Sequence, residues 1–295
     1  MPRSTDILLT ALAPAIWGST YLVTTEFLPA GYPVTVAMLR ALPAGLLLLL
    51  LVRQLPAGGW WGKVFVLGAL NFSVFWTLLF VAAYRLPGGV AATVGAIQPL
   101  VVIFLARAVL GSTIHALSVL AALAGVAGVA LLVLTPAAAL DPVGITAGIT
   151  GAVSMAASTV LSRKWQPSVP LLTFTAWQLT GGGLLLPLAL WIEPPLSALT
   201  TENVLGLAYL GLFGTAVTYV LWFRGLSRIE PSAVSTLGLL SPFTAVILGW
   251  IVLDQSLTEA QLIGALTVLA SVWLSQLAGR FRFRFPPLLR KVPQT

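Results

Sequence analysis

Groups that move protons, attack carbon or hold metals are scarce in this chain. It has no cysteine, one histidine and eight acidic residues. The acids, Asp6, Glu26, Asp141, Glu193, Glu202, Glu230, Asp254 and Glu259, all fall near the ends of apolar runs or between them. No paired carboxylates, no serine with a nearby base and no histidine cluster stand in an apolar setting, so acid–base or nucleophilic catalysis is not expected. His115, alone in a polar connection, offers no metal site, because such a site needs several ligands together; no cofactor is expected. What the apolar runs carry near their middles are neutral polar groups and rings: Trp17, Ser19, Asn71, Trp76, Gln98, Ser154, Ser158, Tyr219 and Ser241. Such groups bind rather than transform. Aromatic walls with a few amides and hydroxyls suit a small neutral or zwitterionic solute that has an apolar part.

The elements that must position these groups follow from composition. Hydrophobic residues make up 58% of the 295 and charged residues 8%, with a mean hydropathy of +1.01, which is the make-up of a chain whose solvent is the lipid bilayer. A hydrocarbon core takes about 20 helical residues per crossing. Cutting at Pro, Gly and charge clusters leaves ten runs, near 7–27, 33–52, 64–83, 89–109, 116–134, 143–161, 170–191, 204–223, 232–252 and 260–278. Runs such as 46–52 are apolar on every side and lack the alternation of a membrane β-barrel, so an all-α membrane protein of ten transmembrane helices is expected. The first run lacks a small-residue cleavage site and reads as the first span. The fifth and tenth carry almost nothing polar and read as packing helices. No filter sequence or ring of charge points to a channel.

The chain states much of itself twice. Arg85 to Val129, moved by 143 positions, lands without a gap on Arg228 to Val272, setting Pro99 on Pro242, Leu110 on Leu253 and Ala127 on Ala270. A weaker echo sets Ser19-Thr20 against Ser158-Thr159. The expected organisation is therefore a first five-helix repeat over 1–138, a second over 139–279 and a basic tail over 280–295. Five spans per half force the copies into opposite orientations, an inverted repeat around a central cavity, as recurs in secondary transporters. Of the fifteen Lys and Arg, all but Arg40 and Arg85 fall on one side if the N-terminus is cytoplasmic, which places both termini inside. The net charge of +7 thus reports membrane orientation and not nucleic acid. Trp60, Trp61, Trp165, Trp191, Trp222 and Trp250 lie near the ends of runs, as interfacial belt residues do.

Three residues are candidates for gating or hinge roles. Pro99 and Pro242 occupy matching places inside spans, where proline removes a hydrogen bond and frees a carbonyl. Arg40 is the one charge well inside a run, seven residues from the start of its span, close enough to the outer surface to snorkel. Small pairs such as Ala121 with Gly125, Gly144 with Gly148 and Gly264 with Ser271 suit close helix approach.

The IWGSTYLV opening, the Arg of the second run followed by leucines, the QPL and SPF pair at Pro99 and Pro242, and LTEAQLIGALTVLASVWL near the end resemble the drug/metabolite transporter superfamily, in particular its EamA family. The resemblance covers about 1–279. It implies ten helices around a central cavity with alternating access, the fifth and tenth outside the cavity wall. Within the family the chain is similar to bacterial inner-membrane exporters of aromatic and other neutral amino acids, and the alternative is an exporter of another small amphipathic drug or metabolite. The expected partners are the cargo and the lipid bilayer; the sequence sets no oligomeric state, and a monomer is compatible with it. Where the small multidrug branch carries a Glu in its first span, this chain has Trp17-Gly18-Ser19.

Overall fold

The computed structural model describes residues 3–29, 31–86, 88–133, 141–194, 196, 198–254 and 256–278. The expected boundary at 138/139 and the basic tail 280–295 lie outside them. All ten apolar runs are helical. We number them α1 (Arg3–Phe27), α2 (Pro33–Val52), α3 (Trp60–Gly68, continuing to Arg85), α4 (Gly88–Gly95 and Gln98–Leu110), α5 (Ala116–Val133) and α6 (Pro142–Lys164), then α7 (Leu171–Leu185), α8 (Thr201–Gly211, continuing to Arg228), α9 (Pro231–Leu237 and Leu240–Val252) and α10 (Glu259–Ala278). Among the described residues nine are long and apolar enough to cross a membrane. The other, α7, is a 15-residue α-helix extended by a 3-10 stretch, Leu186–Trp191. In hydrocarbon every backbone group must find its partner within the chain, and helices supply it.

Helix ends need the same service. The N-terminus of α2 is closed from far along the chain: the Glu193 carboxylate accepts from Val34 N–H (2.7 Å), Thr35 N–H (2.8 Å) and Thr35 Oγ1 (2.6 Å). A carboxylate there satisfies orphan donors and meets the positive end of the helix dipole. The start of α6 is capped locally, Asp141 Oδ1 accepting from Gly144 N–H.

Four spans are irregular, and the irregularities recur at the 143-residue shift. A π-helical stretch interrupts α3 at Ala69–Ser73 and α8 at Leu212–Val217. Both helices end on an Arg followed by an extended residue, Leu86 and Ile229. Both α4 and α9 are cut by a two-residue turn, at 96–97 and, one residue short of the exact shift, at 238–239. The sequence allowed a broken or a kinked helix at Pro99 and Pro242, and the structure shows the break. Both prolines stand in the first turn of a new helix, Pro99 second in Gln98–Leu110 and Pro242 third in Leu240–Val252, where a missing N–H costs little.

Helix pairs pack in a matching order. The close pairs include α5–α10, α2–α7, α3–α6, α1–α8, α4–α6 and α1–α9. Moving each label five places exchanges α3–α6 with α8–α1 and α4–α6 with α9–α1, and returns α2–α7 and α5–α10 to themselves. Glycine sets the approach of α5 and α10: a Cβ on Gly264 would lie 2.6 Å from Leu132 N and 2.7 Å from Gly128 O. These two helices pack chiefly on each other and on α4 and α9. The main core lies instead between α1, α2, α3, α6, α7, α8 and α9.

Candidate binding site

Rings from three helices meet in that core. Trp17 of α1 lies 5.1 Å, centroid to centroid, from both Tyr219 and Trp222 of α8. Tyr219 lies 4.7 Å from Phe72 of α3, and Phe72 lies 5.3 Å from Trp76 one turn on. The tilted and edge-on angles, 44° to 67°, are those that aromatic quadrupoles favour. Trp17 Nε1–H donates to Thr218 Oγ1 at 3.0 Å, which fixes the indole against α8. Of the sequence candidates this group unites Trp17, Trp76 and Tyr219, and it adds Phe72 and Trp222. Trp222 had been grouped with the interfacial belt. It is instead 1% exposed, because α8 runs on to Arg228 and keeps it inside.

Arg40 completes the group from α2. Its guanidinium carbon stands 4.5 Å over the Trp76 ring. Nε donates to Thr215 Oγ1 (3.1 Å) and Nη2 to Gly214 O (3.0 Å). Arg40 is 6% exposed, so it does not snorkel: its side chain turns into the protein, toward the π-helical stretch of α8. A π turn inserts a residue and shifts the carbonyls from their usual partners. The same device operates in α3, where the carbonyl of Leu70 accepts from Ser154 Oγ of α6 at 2.9 Å.

A second, purely polar group lies where α3, α6 and α7 meet. Asn71 Nδ2 donates to Gln178 Oε1 at 2.8 Å, and Ser162 Oγ reaches the same oxygen at 3.5 Å. Ser154 and Ser158 share a face with Ser162 at four-residue spacing. Asn71 Oδ1, Gln178 Nε2 and Ser158 Oγ are buried without partners. The remaining candidates stand apart from the rings. Ser19 pairs with Tyr209 OH at 2.8 Å. Gln98 sits at the break of α4, its Oε1 3.8 Å from where a Cβ on Gly238 would be, at the break of α9. Ser241 presents its carbonyl to Gly18 of α1, where a Cβ would come within 2.6 Å.

The rings touch one another, so the centre is collapsed on its own side chains. An open groove of about 410 Å³ lies instead between α3 and α6, lined by Leu78, Val81, Val143, Thr146 and Thr150 among others. Beside it Arg85 meets Asp141 at 3.7 Å, both well exposed. A tighter arrangement joins α1 to α8, where Asp6 pairs with Arg224 at 2.6 Å and Arg228 at 3.3 Å.

Comparison with known proteins bears on what such a group does. The EamA-like transporter family matches residues 4–134 and 142–277. The chain is 45% identical to protein PecM of Dickeya dadantii over 90% of both chains. It is 26% identical to the inner membrane transporter YedA of Escherichia coli over 95% of this chain and 92% of that one. One crystal structure superposes with a TM-score of 0.82 at 21% identity, covering 95% of this chain and 99% of the other, a likeness of fold.

Proposed function

The chain belongs to the EamA-like transporter family, and from that premise we propose that it exports neutral amino acids, aromatic ones among them, by alternating access around the ring-lined site. The coarser statement needs no proposal: it is a multi-pass membrane protein that transports small molecules and is not an enzyme. The observation that carries the finer one is the convergence of Trp17, Phe72, Trp76 and Tyr219 from helices of both halves of the chain. Flat rings that pack on one another can separate to pack on a cargo of the same kind.

The organisation we propose is ten spans in two inverted five-helix repeats, 1–138 and 139–279, with both termini on the cytoplasmic face of a bacterial inner membrane. Support comes from the 143-residue recurrence of π stretches, turns and terminal arginines, and from helix pairs that exchange under a five-place shift. The broken helices α4 and α9 supply hinges at Pro99 and Pro242. α7 with its 3-10 extension spans 171–191 and serves as the counterpart of α2. Two halves rocking about such a site expose it to each face in turn. The second reading, export of another small amphipathic metabolite, is favoured by the scarcity of hydrogen-bonding groups among the rings themselves.

The test is uptake of radiolabelled phenylalanine, methionine and threonine into proteoliposomes, with and without a proton gradient. Saturable, substrate-selective uptake is the expected result. Folded protein that moves none of the three but moves an unrelated amphipathic solute would replace the first reading by the second.

A further inference from the structure

We propose that the group recognised on the cargo is a carboxylate, and that Arg40 recognises it. This rests on the rings being the cargo site, as proposed above. Arg40 is a cation enclosed by protein within a membrane-spanning helix, where an ionised side chain is costly and marks a functional path. Buried charges are normally paired. Asp6 and Asp141 pair with arginines elsewhere, and among the described residues no carboxylate lies within pairing distance of Arg40. Its partners, Gly214 O, Thr215 Oγ1 and the face of Trp76, are all neutral. They engage Nε and Nη2, while Nη1 makes no hydrogen bond among the described residues.

The site therefore holds a fixed cation, stacked on one of the rings the cargo would touch, with donor capacity to spare. An anionic cargo brings the missing counter-charge, and a planar carboxylate matches the guanidinium fork in two parallel bonds. A phosphate ester would bring a second negative charge, for which no second Lys or Arg stands among these rings. An ammonium finds no acid here; it is tolerated against ring faces and hydroxyls but is not what the site selects. Hydrophobic cations meet like charge. The cargo class is thus an aromatic or apolar body bearing one carboxylate, with an α-amino group permitted and not required.

Binding to the full-length protein, read by the fluorescence of its own tryptophans and by melting temperature, tests this with four probes: phenylalanine, 3-phenylpropionate, phenylalaninamide and phenethylamine. Both acids should bind, and both amines at least roughly tenfold more weakly, as charge-assisted bonds require. Arg40→Gln should lower affinity for the acids roughly ten- to a hundredfold and should not lower, and by relieving like charge should raise, affinity for the amines, with Arg40→Lys between for the acids. Amines binding as tightly as acids would overturn the proposal, as would unchanged acid affinity in folded Arg40→Gln, or no response of the wild type to any probe. If the variant does not fold, the wild-type series decides alone. Proteoliposome flux separates the two levels: transport of amines but not acids removes the carboxylate and keeps the transporter site, whereas transport of nothing amphipathic removes both.

Discussion

Asn71 and Gln98 look alike in the sequence, each a lone amide near the middle of a span, and the structure gives them different lives. Asn71 is bonded to Gln178, itself wholly buried. Gln98 Nε2 has no partner. Truncating one member of a buried bonded pair strands the other, at about 1–3 kcal/mol, whereas removing a donor that was never satisfied is close to neutral. Asn71→Ala should therefore lower the melting temperature together with transport, and Gln98→Ala should leave melting unchanged or slightly raised; equal melting of the two variants would contradict this. Residues were legible from sequence to the extent that depth sufficed: Trp17, Trp76 and Tyr219 lie near span centres and meet in space. Arg40 and Trp222 were misread because counting from helix ends assumes a straight helix with lipid on its flank. The carbonyl that holds Arg40 is 174 residues away and lies in a π-helical stretch, which has no signature in a single sequence.

At the scale of elements, the ten helical runs were legible because hydrocarbon leaves the backbone so few options. Their interruptions were only half legible. Proline in matching places marked α4 and α9 as irregular, but whether the helix kinks or restarts depends on neighbours, and here it restarts. Pro99→Ala would add an N–H able to reach the carbonyl of Gly95 and draw Gly88–Gly95 and Gln98–Leu110 toward one continuous helix. If the break is a hinge, transport should fall roughly five- to tenfold, the rate equivalent of about one backbone hydrogen bond, while melting holds or rises. Full transport by a correctly folded Pro99→Ala would remove the hinge role. The π stretches of α3 and α8 were invisible to hydropathy, since inserting a residue changes register and not polarity, yet they aim Phe72 and the Arg40-binding carbonyl.

At the scale of the molecule, one long segment of the sequence copies itself without a gap, but its arginines read only as orientation marks. In the structure the Arg ending the third helix of each half pairs with an acid at the start of the first helix of the other: Arg85 with Asp141, and Arg228 with Asp6. In the inverted arrangement proposed above, these clasps fall on opposite faces. Asp6 is buried and is held a second time by Arg224, whereas the Asp141 clasp is longer and open to solvent on both sides, beside the open groove. Asp6→Asn should raise thiol labelling of a Leu226→Cys reporter, clean in a chain without cysteine, by roughly tenfold from the face that bears Arg228. Asp141→Asn should not raise it, and equal effects of the two would break the assignment. Glu193, finally, ties the making of this protein to its order of synthesis. α2 enters the bilayer long before residue 193 has left the ribosome, so Val34 and Thr35 must wait for the second half to finish their first turn. A fragment ending within 134–140 should carry a frayed entry to α2 that the complementary fragment repairs, and amide exchange at those two residues would report the repair.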